Sequence, residues 1–170
     1  MGVLSSPQIR SMIHGPEPLV SGYVDLSEQL QSNGFDMTLH SIASFDGPGR
    51  IGPTNDSRRL PGTHDLRFGP DGFVHLEPGP YIARLNETVA LPLSVMALAK
   101  PRSSLLRCGV AVHNAVWDAG YAGQSQVQIV VYNPQGFDLA RDARIIQMVF
   151  MTLDKETDSP YAGAYQRERA

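Results

Sequence analysis

With 170 residues, 42% of them hydrophobic, the chain is long enough to bury one core and too short for several large domains. Its 14 basic and 17 acidic residues leave a net charge of -3, which excludes the broad cationic field that gathers polymeric DNA or RNA. Cys108 stands alone, so no intrachain disulfide can form; no His/Cys cluster has zinc-ligand spacing, no apolar run is long enough for a bilayer, and a cytoplasmic protein is expected.

Ser6 ahead of Pro7 supplies a capping hydroxyl before a proline at the first helical position, and Ile9, Met12 and Ile13 then share one face of a short helix. This helix and its lead-in occupy 1–33. Phe35, Met37 and Leu39 alternate with Asp36, Thr38 and His40, the pattern of a strand with one buried face. The glycine- and proline-rich stretch at 45–72 reads as a long surface excursion, or as an ordered arm on a neighbouring subunit. Short strand-like segments follow: FVHL, PYIARL, TVAL, VMALA, GVAVH, QVQIVVY, FDLA and RIIQMVFMTL, separated by turn-rich EPGP, KPRSS and NPQG. The pattern predicts an all-β fold, with residues 1–170 as a single domain.

The chemistry-bearing segment is KPRSSLLRCGVAVHNAVWDAGYAGQ. Arg102 and Arg107 can make charge-assisted bonds to phosphate oxygens, and Ser103 and Ser104 can add hydroxyl and N–H donors, although Ser103 could equally cap a short helix beside solvated arginines. Asp118 sits in WDAGY, where Gly120 and Gly123 allow tight turns and Tyr121 offers a flat ring to a sugar or base. A carboxylate there can take a proton from water, yet an Asp next to Gly is also an ordinary turn former. Trp117 is expected to pack in the core. His14, His40, His64 and His75 are scattered without metal spacing.

PRSSL, then DAGYAG, then RIIQMVF, in that order, resemble the motifs of the dUTPase and dCTP deaminase superfamily. GFDMTL, HLEPGPYIARLNETVALP and the ending SPYAGAYQ resemble its deaminase-like, archaeal-type branch. The resemblance implies a distorted jelly-roll β-barrel of the dUTPase-like (β-clip) kind and a homotrimer with active sites between subunits. It places Asp118 as the water activator and Tyr121 as the ring that packs on deoxyribose. Arg102, Ser103, Ser104, Arg107 and Gln147 fall at phosphate-contacting positions, and the hairpin around His113 and Asn114 faces the base. Tyr161 and Gln166 belong to a C-terminal arm over 155–170, with Tyr165 and Arg167 as further contacts, and Asp36 supports the site. A magnesium ion is expected to be held mainly by the substrate triphosphate, with no direct protein ligand named.

Superfamily members hydrolyse dUTP, deaminate dCTP, or do both. Deaminases resemble one another in a strand ending Leu-Glu-Phe-Phe-Asn or similar, whose glutamate shuttles protons. With Asn133 aligned to that asparagine, Val130 replaces the glutamate, and no Glu or Asp occurs anywhere from Gln124 to Tyr132. Gln126 or Gln128 could hydrogen-bond a base but not shuttle its proton. The expectation is therefore a dUTP diphosphatase; a dCTP deaminase or bifunctional enzyme, and a non-catalytic nucleotide sensor or scaffold, are the alternatives.

Overall fold

In the computed structural model, which describes residues 2–168, the chain opens with helix α1, Ser6–Ile13. The cap lies one residue earlier than expected. Ser5, not Ser6, is the N-cap, because Ser5 keeps an extended backbone and the Gln8 side chain reaches back to accept its N–H at 2.9 Å. Pro7 sits in the first turn, where its missing N–H leaves no bond unmade. Ile9 and Ile13 are buried, and Met12 packs against the same core.

The strands are β1 Val20–Ser21, β2 Leu30–Gln31, β3 Gly34–Asp46, β4 Gly62–Asp65, β5 Phe73–Leu76, β6 Gly79–Ala90, β7 Val95–Pro101, β8 Val110–His113, β9 Ala122–Val131, β10 Phe137–Ala140 and β11 Arg144–Thr152. Two further helices are short: α2, Leu26–Gln29, and α3, Ser103–Arg107. The main sheet runs β7-β11-β3-β6-β9-β8, with β1 added to β6, and β2 and β4 added to β3; β5 and β10 form a separate pair. Neighbours are antiparallel throughout this path. Along this path long β3 has two neighbours, β11 along 35–38 and β6 from Leu39 onward, with a register shift between Leu39 and Ser41 that bends it around the core.

The two ends of the path meet. Ala97 of β7 and Trp117, after β8, exchange backbone hydrogen bonds of 2.9 and 3.1 Å, which makes a nearly closed antiparallel barrel and bears out the expected fold class. Phe35, Met37, Leu39, Leu85, Ile129, Ile146, Met148 and Phe150 fill its interior with no exposed surface. Among the described residues no helix is long and apolar enough to cross a membrane.

The 45–72 stretch is only partly an irregular excursion. β3 continues to Asp46, the chain returns as β4 paired with it, and Arg50 and Arg59 bridge across the intervening loop. The expected one-sided burial of β3 also needs correction. Asp36 and Thr38 are 2% and 1% exposed, as deeply buried as Phe35 and Met37, and His40 is the first exposed residue of the alternation. The reason is a buried polar layer laid over that second face. Gln29 of α2 donates to the Asp36 carbonyl and to Glu87, while Glu87, at an inward position of β6, accepts from the Thr38 N–H at 2.9 Å and from its hydroxyl.

Glu87 has no exposed surface, and its carboxyl is pushed above the ordinary value by burial, against the opposing pull of the Thr38 and Gln29 hydrogen bonds. An acid whose folded pKa is raised contributes most stability below its unfolded value of 4.5, and that contribution fades as pH rises through the folded pKa. Glu87→Ala should cost about 2–4 kcal/mol in urea unfolding, since it orphans the Thr38 donors. Relative to Glu87→Gln, the wild type should be most favoured near the acid end of a titration from about pH 4.5 to about pH 8 and lose ground as pH rises.

Candidate active site

Asp118 is exposed between three buried neighbours, Trp117, Ala119 and Tyr121, so its short loop is anchored on both sides while its carboxylate faces out. The anchors are specific. Trp117 is tied to Ala97 through its backbone and donates its indole N–H to the Ser125 hydroxyl at 2.7 Å. The Tyr121 hydroxyl lies 3.2 Å from the same Ser125 oxygen, and the Tyr121 N–H closes a turn onto the Asp118 carbonyl at 3.1 Å. Gly120 has φ +85°, and a Cβ there would stand 2.7 Å from Pro160, so the turn excludes any side chain.

These residues floor a cavity of about 600 Å³, which Asp118, Tyr121, Ser125, Gln126, Tyr161 and Tyr165 help to line. Tyr161 meets Tyr121 edge-on, with ring centroids 5.5 Å apart and planes at 74°. Burial raises the Tyr121 phenol above its ordinary value, against the opposing Ser125 hydrogen bond. The C-terminal arm binds alongside. Gln166 donates to the Gly120 carbonyl at 2.9 Å and accepts from the Ala122 N–H at 3.0 Å, and the Tyr161 N–H donates to Ala119. The Glu168 carboxylate completes one wall, accepting from Gln126 at 2.8 Å, and burial raises its carboxyl while Arg84 opposes the shift.

The expected phosphate group forms a second cluster elsewhere. Arg102, the N-cap residue of α3, donates to the buried Asp36 carboxylate, and Arg144 lies 3.7 Å from the same oxygen. Desolvation, with Arg144 adding to it, lowers the Arg102 guanidinium below its ordinary value. Ser103 and Ser104 follow as exposed residues of the first turn, so the capping position belongs to Arg102, not Ser103. Arg107 is exposed and folds back onto the Ser103 carbonyl at 3.1 Å. Gln147 on β11 is registered opposite both Asp36 and Lys100, which puts it in the same cluster.

Within one chain these two groups do not share the cavity. None of Arg102, Ser103, Ser104, Arg107 or Gln147 lines it, and its charged lining residues, Asp118 and Glu168, are both acidic. His113 is exposed at the end of β8, opposite Gln128, and Asn114 donates to the Ala99 carbonyl at 3.2 Å; the cavity begins one residue further on, at Ala115. Sequence reasoning missed Arg144, Ser125, Glu168 and the cavity-facing 60–63 segment. Long-range register and chain return bring in all but Ser125, which lies four residues after Tyr121. Trp117 is the packing residue expected, and it also faces the cavity.

Residues 3–153 match the model of the family described as dCTP deaminase-like. The chain is 45% identical over 168 residues to a Methanosarcina mazei protein named probable deoxyuridine 5'-triphosphate nucleotidohydrolase, covering 99% of this chain and 98% of that one. A protein of the same name from Archaeoglobus fulgidus is 48% identical over the same length and coverage. A crystal structure of 2'-deoxycytidine 5'-triphosphate deaminase from Agrobacterium tumefaciens superposes with a TM-score of 0.67 at 28% identity, over 88% of this chain and 48% of that one.

Because Gly120 combines positive φ with a backbone contact to the arm, Gly120→Ala should lower stability by about 1–3 kcal/mol. Thermal unfolding would measure the loss, and limited proteolysis should cut the 160–168 segment faster than in the wild type.

Proposed function

This chain belongs to the dCTP deaminase-like family, and from that membership we infer that it is a dUTP nucleotidohydrolase, splitting dUTP into dUMP and pyrophosphate with Asp118 activating the attacking water. The observation that carries the assignment of roles is an outward carboxylate on a rigid loop, in a cavity walled by Tyr121 and Tyr161. The nucleoside enters this cavity, and Tyr121 packs on deoxyribose where a 2'-hydroxyl would need room. Its own hydroxyl is committed to Ser125, so the ring is held still. Asp118 takes a proton as the water oxygen bonds to the α-phosphorus; the bond to the bridging oxygen breaks, and the electron pair leaves with pyrophosphate.

A triphosphate also needs cations, and the lining carboxylates supply none. Arg102, Ser103, Ser104, Arg107 and Gln147 therefore act from a neighbouring copy in a homotrimer, each site joining the cavity of one subunit to the α3 cluster of the next. Asp36 holds Arg102 in place. His113 and Asn114 bound the base end, where backbone groups pair with uracil, and Gln166 keeps the arm docked on the Asp118 loop. A magnesium ion, where bound, would be held mainly by the substrate triphosphate and by water, with no direct protein ligand named. When bound with the substrate, such an ion would supply positive charge to offset that of the phosphates. A reducing cytoplasm suits the exposed Cys108 thiol.

Purified protein incubated with dUTP, dCTP, dTTP and UTP plus magnesium should release pyrophosphate from dUTP alone and ammonia from none; ammonia from dCTP would overturn the assignment. Asp118→Asn should reduce the dUTP rate by about 100-fold or more. Mixing inactive Asp118→Asn with inactive Arg107→Ala, then reassembling, should restore about a quarter of the wild-type sites, because a mixed trimer regains one site in three. Failure of the mixture to recover any activity would sink the shared site.

A further inference from the structure

The mouth of the cavity carries a cationic group outside the expected motifs. Between β3 and β4 the chain holds three arginines, Arg50, Arg58 and Arg59, and ends in Leu60 and Pro61, which line the cavity opposite the C-terminal arm. Reciprocal backbone bonds of 2.7 and 2.8 Å between Arg50 and Arg59 shape the loop into a hairpin. Its inner arginine, Arg58, is half-buried with its guanidinium 5.4 Å from the centre of the Tyr165 ring, and Tyr165 itself lines the cavity. Among the described residues none of the three arginines joins an ion pair. A guanidinium stacked on an aromatic face keeps its in-plane N–H donors free for an anion. It lies beside the lining residue Tyr165, and among the described residues neither carboxylate of the cavity, Asp118 or Glu168, is paired with it.

We propose that Arg58 is a substrate-binding residue: stacked on Tyr165 at the cavity mouth, it takes a phosphate oxygen of the bound deoxynucleoside triphosphate from the same subunit that supplies Asp118. This rests on the assignment of the cavity to the nucleotide. The 50–59 hairpin and the arm at 160–168 are then two flaps joined over the substrate by the Arg58–Tyr165 stack. The hairpin supplies the charge, and the arm supplies the ring that aims it.

Titration of the full-length protein with deoxyuridine and with a non-hydrolysable α,β-imido analogue of dUTP plus magnesium tests the inference without needing turnover. Arg58→Ala should weaken the triphosphate analogue by about tenfold or more, as expected for a lost charge-assisted hydrogen bond, and leave deoxyuridine binding unchanged. Arg58→Lys should recover part of the loss, and Tyr165→Ala should mimic Arg58→Ala in part, whereas Tyr165→Phe, which keeps the ring, should have little effect. Equal losses for both ligands would reduce Arg58 to a packing partner of Tyr165 and overturn the proposal, as would no loss for either. Pyrophosphate release by the wild type tests the enzyme assignment separately: an active enzyme whose analogue affinity ignores Arg58 sinks only this inference. An inactive wild type with Arg58-dependent analogue affinity sinks only the assignment.

Discussion

The seam between Ala97 and Trp117 is the contact on which the site depends. It joins the two ends of the strand path, and it does so one residue before Asp118. A carboxylate on an open loop would sample many directions, and a water held by it would share that freedom. Here the backbone is pinned on one side by the seam and on the other by the turn onto Tyr121, so closing the barrel and aiming the acid are one event. Ser125 extends the same logic to side chains. Its hydroxyl meets both the Trp117 indole and the Tyr121 phenol, locking the two aromatic groups that flank Asp118.

Charge is divided across the molecule between two groups that do not share a cavity within one chain. The cavity walls bring carboxylates and tyrosines, which suit a sugar, a base and a water but repel phosphates. The α3 cluster brings arginines, with one carboxylate, Asp36, buried between Arg102 and Arg144. That carboxylate orients Arg102 and neutralises part of the local charge, so two guanidiniums can stand close together before any anion arrives. The separation supports an active site assembled from copies, with the 50–59 hairpin as the cationic element that stays with the cavity's own chain.

The buried polar layer under β3 shows what such an arrangement costs. Glu87 stands where alternation would place an apolar residue, and it is kept there by Thr38 and Gln29. A half-satisfied group at that depth would be expensive, so the layer fixes how the N-terminal lead-in docks on β3. Asp36, the partner of Arg102, lies in the same stretch of strand. The layer that holds the lead-in down thus also sets the strand that orients Arg102.

Much of this was legible along the chain. The strands from FVHL to RIIQMVFMTL, the α1 helix and the motif order around Asp118 are local signals, written in alternation, turn residues and short spacing, and the resemblance they carry leads to the family to which the chain belongs. Other features could not be read that way. Burial of Asp36 and Thr38 depends on Gln29 and Glu87 arriving from distant positions, and the cap on Ser5 rather than Ser6 depends on a backbone angle. An acid-free run from Gln124 to Tyr132 does not make the cavity wall acid-free, because Glu168 returns to Gln126 from the end of the chain. Sequence by itself determined which residue types could perform the reaction, since each works through its own functional groups. Tertiary structure alone decided which of them meet, because register, barrel closure and the return of the arm are contacts between residues far apart in the chain.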